Sequence, residues 1–83
     1  NIIDRMVFAS VPSRIAAYLL EQKSLGGSDV VETTHDMIAK NIGTAREVVS
    51  RVLKNFEKNG IVVLSRGSVI LKDIRKLYDQ TDS

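Results

Sequence analysis

The segment Thr34–Gly60 constrains the fold most, because two helical patterns meet there across a short turn. It reads THDMIAKNIGTAREVVSRVLKNFEKNG, with apolar residues at three- and four-residue spacing on both sides of Gly43. Thr34 is a good helix N-cap, and Gly43 can adopt the positive φ that ends a helix sharply. Two helices joined by a three- or four-residue turn containing glycine form a helix-turn-helix. We therefore predict helices over roughly 35–41 and 44–59.

The helix predicted over 44–59 has two distinct sides. The spacing Thr44-Ala45-Arg46-Glu47 is that of a capping box, in which Thr44 and Glu47 bond each other's backbone amides. At about 100° per residue, one arc of the helix is apolar and faces the core: Val48, Val49, Val52, Leu53 and Phe56. The opposite arc is polar: Arg46, Glu47, Ser50, Arg51, Lys54, Glu57 and Lys58.

The flanking sequence predicts the rest of one small α+β domain. Ser10 and Pro12 favour the start of a helix over about 11–23, and Val30-Val31-Glu32-Thr33 favours a short strand. Residues 61–64 and 69–71 around a Ser-Arg-Gly-Ser turn predict a β-hairpin, and Asp73 can cap a last helix through about Tyr78. We predict a three-helix core with a small β-hairpin wing over 10–78 and a frayed tail over 79–83.

Composition excludes several classes of protein. The 83 residues contain no cysteine and one histidine, which removes disulfide scaffolds, thiolate zinc sites, cysteine nucleophiles and histidine-rich metal sites. We therefore predict no metal site, no cofactor and no enzymatic activity. No apolar run approaches the roughly 20 residues that cross a bilayer, and no signal peptide is visible, so we expect the cytoplasm and no membrane partner.

Charge is concentrated in the central half of the chain. The net charge is only +2, but residues 35–76 carry nine basic and four acidic side chains, a local charge of +5. A basic face of this kind is expected where a protein meets a polyanion. A solvated helix surface that happens to be rich in lysine would give the same balance.

The polar arc of the 44–59 helix carries side chains that can read DNA. Arginine can bridge guanine O6 and N7, glutamate can accept from cytosine N4, and serine can bond bases or phosphate. We predict base contacts by Arg46, Glu47, Ser50 and Arg51, which lie in the first two turns. Backbone contacts are predicted for the remaining polar candidates: Thr34, Lys40, Thr44, Lys54, Lys58, Arg66 and Ser68.

These motifs resemble the C-terminal winged helix-turn-helix domain of the Crp/Fnr family of bacterial transcription regulators. The string G-x-x-R-E-x-V-S-R begins at Gly43 and ends at Arg51, VPSRIAAYLL resembles the first helix of that domain, and SRGSVILKDIRKL resembles its wing and closing helix. Two departures matter. Ala45 stands where the family often has a hydroxyl residue, and Met37 stands where an acidic residue commonly completes a capping box.

The resemblance implies sequence-specific binding of double-stranded DNA, with helix 44–59 in the major groove of a palindromic half-site. Family members are homodimers, and an activator would also contact RNA polymerase. The family also has an upstream sensory domain and a dimerisation helix. We therefore expect residues 1–9 to be a remnant of that helix or of the hinge after it, and the effector of the upstream domain is unknown.

Two other readings of the sequence predict different functions. A winged-helix module that binds protein rather than nucleic acid could use Val62, Leu64 and the apolar residues Ile2, Ile3 and Met6 as its contact surface. Acid–base chemistry by His35 and Asp36 is disfavoured, because adjacent helical residues diverge by about 100°. We expect His35 to be exposed near a helix start, beside a phosphate.

Overall fold

The computed structural model describes residues 10–81, which form four helices and three strands. In chain order the elements are α1 (Val11–Gly26), β1 (Val30–Val31), α2 (His35–Ile42), α3 (Arg46–Lys58), β2 (Val62–Ser65), β3 (Ser68–Leu71) and α4 (Ile74–Gln80). The predicted α+β winged helix is therefore confirmed. The predicted remnant over 1–9 lies outside the described residues.

Side-chain caps fix the starts of three helices where the sequence predicts them. The hydroxyl of Ser10 accepts from the Ser13 amide at 3.3 Å, and that of Thr34 accepts from the Met37 amide at 3.1 Å. Thr34 thus caps α2 without an acidic residue at position 37. Asp73 accepts from the Lys76 amide at 3.0 Å at the start of α4. Each bond satisfies a backbone donor that the first helical turn leaves unpaired.

The capping box predicted at the start of α3 is wrong. The N-cap residue is Ala45, which makes no side-chain cap hydrogen bond. Gly43 has φ +73°, and the amides of Gly43 and Thr44 both donate to the Ala39 carbonyl at 2.9 and 3.0 Å. Because Thr44 is held in the ending of α2, α3 begins one residue later than a Thr44 cap requires, and Glu47 is left on the exposed surface.

The hairpin is part of a three-stranded antiparallel sheet in the order β1-β3-β2. Ser65 pairs with Ser68 around a two-residue turn, Leu64 pairs with Val69, and β1 pairs with β3 through Val31 and Val69. The sequence predicts the strand at Val30-Val31 but not its partner. This pairing anchors the base of the wing to the chain segment that leads into α2.

One core is shared by every helix and strand. Its buried apolar residues are Ile15, Ala16, Leu19, Val31, Ile38, Ala39, Ile42, Val49, Leu53, Phe56, Ile61, Val62, Val69, Leu71 and Leu77. Val49, Leu53 and Phe56 come from one face of α3 and are at most 1% exposed. The opposite face of α3 is therefore held at the surface by deep burial of the first.

The closing helix runs further than the sequence predicts. Leu77 is fully buried, and α4 continues to Gln80 instead of ending near Tyr78. The buried hydroxyl of Ser13 on α1 donates to the Thr81 carbonyl at 2.9 Å. Residues 79 and 80 of the predicted tail thus continue α4, Thr81 is its C-cap, and 82–83 lie outside the described residues.

Candidate nucleic-acid interface

The first two turns of α3 present a strip of polar side chains to the surface. Arg46, Glu47 and Arg51 are exposed, and Ser50 between them is half-buried. Positions 46, 47, 50 and 51 are related by spacings of one, three and four residues, so they lie along one side of the helix. We call these four residues the α3 strip. They are the residues for which the sequence predicts base contacts.

His35 lies against the α3 strip rather than standing alone at the start of α2. Its Nδ1 is 2.8 Å from the hydroxyl oxygen of Ser50, and the side chain is half-buried, where the sequence predicted an exposed one. Burial lowers the pKa of His35 below its ordinary value of 6.5, and the positive charges of Arg46 and Lys54 lower it further. The imidazole is therefore neutral at neutral pH.

A shallow cleft of about 240 Å³ joins the start of α2, the start of α3 and the turn of the wing. Its lining includes Arg46 of the α3 strip and two of the predicted backbone-contact residues, Thr34 and Ser68. Its full lining is Thr33, Thr34, His35, Asp36, Arg46, Ser65, Gly67 and Ser68. The cleft shows that the wing turn and the start of α2 flank the same end of α3.

The other predicted backbone-contact residues are spread around the strip. Lys54, Lys58 and Arg66 are exposed on the last turns of α3 and the tip of the wing, and Thr44 is half-buried in the turn. Lys40 is exposed and pairs with Asp36 at 3.4 Å, one turn away on α2. An exposed pair of this kind contributes little to stability. Lys40 can therefore leave Asp36 for another anion at little cost.

Glu57 is exposed on the polar side of α3 and also bonds the wing. The helical wheel placed it in the polar arc, but its Oε2 accepts the Leu64 amide of β2 at 2.9 Å. β2 is an edge strand, whose outward amides lack strand partners. Glu57 supplies such a partner and ties the last turns of α3 to the wing.

Arg14 ties the helix-turn-helix to α1, a role the sequence does not reveal. Its Nη2 donates to the carbonyl of Ile42, the last residue of α2. Terminal helix carbonyls lack intrahelical donors and carry the negative end of the helix dipole, so a guanidinium is a favourable partner there. Sequence shows only a polar residue on α1, and the pairing depends on how the helices pack.

The strand residues suggested as part of a protein-binding surface pack on the core of the domain. Val62 is 1% exposed and belongs to the core, and Leu64 is half-buried against it. Ile2, Ile3 and Met6 lie outside the described residues. Both strand residues are needed inside the domain because β2 packs on α3. This prediction of an apolar docking face at Val62 and Leu64 is therefore wrong.

Within residues 10–81 no group of three or more His, Asp or Glu side chains lies close enough to hold a metal ion. In the same range no helix has the length and apolar character needed to cross a membrane.

Both the sequence and the fold of this chain are similar to those of known proteins. A sequence model of the Crp-like helix-turn-helix domain matches residues 13–80. The chain is 32% identical over 84 residues to the CRP-like cAMP-activated global transcriptional regulator of Mycobacterium tuberculosis, covering 93% of this chain and 37% of that protein. It is 29% identical to the transcriptional regulator SdrP of Thermus thermophilus, covering 98% and 43%.

Solved structures show the same similarity. A Crp/Fnr-family protein of Eubacterium rectale superposes with a TM-score of 0.90 at 36% identity, covering 98% of this chain and 38% of that one. The catabolite activator protein of Thermus thermophilus superposes with a TM-score of 0.82 at 30% identity, covering 96% and 38%. The chain thus spans about two fifths of the length of these proteins.

Proposed function

The chain belongs to the Crp-like helix-turn-helix family of transcription regulators, and from that premise we propose that it binds double-stranded DNA sequence-specifically. In this proposal α3 enters the major groove of one half of a palindromic site. The observation that carries it is the α3 strip, which has three exposed residues and lies on one side of a helix whose other side is fixed in the core. A helix with its N-terminal turns free is the element that reads base edges in helix-turn-helix proteins.

The roles of the four strip residues follow from their chemistry. Arg46 and Arg51 contact guanines, Glu47 accepts from the cytosine of a C·G pair, and Ser50 bonds a base or a phosphate. The exposure of Arg46, Glu47 and Arg51 supports these roles, because none of the three is committed to the core. Each good bidentate contact discriminates against the wrong base by about 1–3 kcal/mol.

A second group of residues positions the domain on the phosphate backbone. Proximity to the cleft supports Thr34 and Ser68, and exposure supports the basic side chains. The full set is Thr34, Lys40, Thr44, Lys54, Lys58, Arg66 and Ser68. Contacts of this kind fix orientation and register but carry no sequence information directly.

The whole regulator, as we propose it, is a homodimer in the bacterial cytoplasm that places two such domains on a two-fold symmetric operator, and as an activator it would also contact RNA polymerase. A single winged-helix module buries about 600–1,000 Å² on DNA. One copy therefore binds weakly, and two tethered copies bind tightly.

Equilibrium binding to a fluorescent duplex tests the function. Affinity should fall steeply as salt rises, because bound lysines and arginines displace counterions from the DNA. Absence of binding even at low salt would contradict DNA recognition and favour a protein-binding role.

Paired substitutions on α3 separate base contacts from backbone contacts. Arg51→Ala should cost about 1–3 kcal/mol on the preferred duplex and relax discrimination at one base pair. Lys54→Ala, one turn along the same helix, should weaken all duplexes by a similar factor and reduce the salt dependence. Equal losses on every duplex for Arg51→Ala would refute its assignment to a base.

A further inference from the structure

The hydrogen bond between His35 and Ser50 connects the start of α2 to the α3 strip. The atoms involved are His35 Nδ1 and the Ser50 hydroxyl oxygen, 2.8 Å apart. Either atom can be the donor, and the choice depends on whether Nδ1 carries a proton. A serine hydroxyl has only one hydrogen, so this choice decides what Ser50 has left to offer another molecule.

The two arrangements present opposite hydrogen-bonding character. When His35 is neutral with its proton on Nε2, Ser50 donates to Nδ1 and its oxygen is left as an acceptor. When His35 is protonated, Nδ1 donates to the Ser50 oxygen, and the hydroxyl hydrogen is free to point elsewhere. An acceptor suits the amino groups of cytosine and adenine, whereas a donor suits guanine O6 and N7 or thymine O4.

We propose that His35 is a positioning residue that sets whether Ser50 offers DNA an acceptor or a donor, so that protonation of His35 changes the base preferred at the Ser50 contact. This rests on the proposed function, and specifically on Ser50 reaching a base edge. His35 then determines specificity through Ser50 from α2, the first helix of the helix-turn-helix.

The charged groups around His35 influence how readily its imidazole takes up a proton. Arg46 and Lys54 face it from α3 and disfavour the charged form, and Asp36 is the adjacent carboxylate on α2. The wing contributes only uncharged residues to the cleft: Ser65, Gly67 and Ser68. Phosphates of bound DNA would favour the charged form. The imidazole therefore passes from neutral toward cationic as the pH of the complex falls below neutrality.

A pH series on matched duplexes tests the proposal. His35 is the only histidine of the chain, so no other imidazole titrates in the same range. Each base pair of a bound half-site is first replaced in turn to find the position where Ser50→Ala loses discrimination. The affinity ratio for two duplexes differing only there is then measured from about pH 7.5 to 5.5, where imidazole titrates. A general attraction between protonated His35 and phosphate changes both affinities alike and cancels in the ratio.

The unsubstituted chain should change this ratio by roughly three- to tenfold across the series, the worth of one hydrogen bond. The ratio should be flat in Ser50→Ala, and also in His35→Asn, whose amide can still bond Ser50 but does not titrate. Circular dichroism establishes that both variants fold. A second check needs no DNA: Ser50→Ala should shift the His35 titration followed by NMR in the free chain.

Three results would overturn the proposal while leaving DNA recognition intact. These are a flat ratio in the unsubstituted chain, a pH-dependent ratio that persists in Ser50→Ala, and a bound half-site at which Ser50→Ala changes no preference. No binding to any duplex at any pH would instead overturn the proposed function, and this inference would fall with it.

Discussion

Replacing Gly43 by alanine is expected to destabilise the domain through backbone strain alone. Gly43 ends α2 with φ +73°, and a Cβ added there meets no atom within 4 Å. The left-handed conformation costs a residue with a Cβ about 1–2 kcal/mol. Alanine also lowers the conformational entropy of the unfolded chain, which offsets about 0.4–1 kcal/mol of this cost. The net loss of stability should be about 1 kcal/mol.

Gly26→Ala is the matched control, because it adds the same methyl group to open space without a positive φ. Gly26 is the last residue of α1, and nothing lies within 4 Å of an added Cβ. Here alanine should stabilise the domain by about 0.5–1 kcal/mol through helix propensity and unfolded-state entropy. The two variants should therefore move the unfolding midpoint in opposite directions.

Urea denaturation followed by circular dichroism measures the difference between the two variants. At about 4–8 °C per kcal/mol for a domain of this size, the same pair should also separate clearly in thermal melts. Gly43→Asn should recover part of the loss, since asparagine tolerates the left-handed region better than alanine. If Gly43→Ala were as stable as Gly26→Ala, the turn between α2 and α3 would not have the conformation described.

Glu57→Ala should destabilise the domain by about 0.5–1.5 kcal/mol by freeing the Leu64 amide, and Glu57→Gln, which keeps an acceptor, should recover most of it in urea denaturation; equal losses would contradict the bond. Leu53→Ala should cost about 2–5 kcal/mol because the side chain is fully buried; a loss below 1 kcal/mol would place α3 outside the core. The unfolded chain has the higher His35 pKa and binds the proton more readily, so stability should fall as pH drops below about 6.5. Melting of His35→Asn across the same range should lack that decline.

The local parts of the fold could be predicted from the sequence. Ser10, Thr34 and Asp73 are helix caps whose partners lie three residues away. The α3 strip follows from helical periodicity, since buried Val49 and Leu53 dictate which side of the helix is exposed. Such features depend on spacing within one element and need no knowledge of packing.

The capping box failed because two local patterns competed for one residue. Thr44 fits the cap of α3, but it also follows Gly43, and its amide is used to end α2. The spacing of residues does not show whether Thr44 caps α3 or takes part in the ending of α2. A shift of one residue resulted, which left Ala45 as the N-cap and Glu47 as an exposed strip residue.

Contacts between elements could not be predicted from the sequence. His35 and Ser50 are fifteen residues apart, and Glu57 and Leu64 are seven apart across a change from helix to strand. Each pairing depends on the angle at which α3 meets its neighbour, which the pattern of polar residues does not encode. The first pairing connects a predicted base-contact residue, Ser50, to α2, and the second connects α3 to the wing.

Selection of bound sites from a pool of random duplexes tests most directly whether the α3 strip reads DNA sequence. Two copies of the chain joined by a flexible linker should enrich a palindrome with guanines in each half, and Arg51→Ala in both copies should erase the preference at one base pair per half. Two results would contradict base reading by the α3 strip. One is a pool that remains random after repeated rounds, and the other is an enriched site that is unchanged when Arg51 is removed.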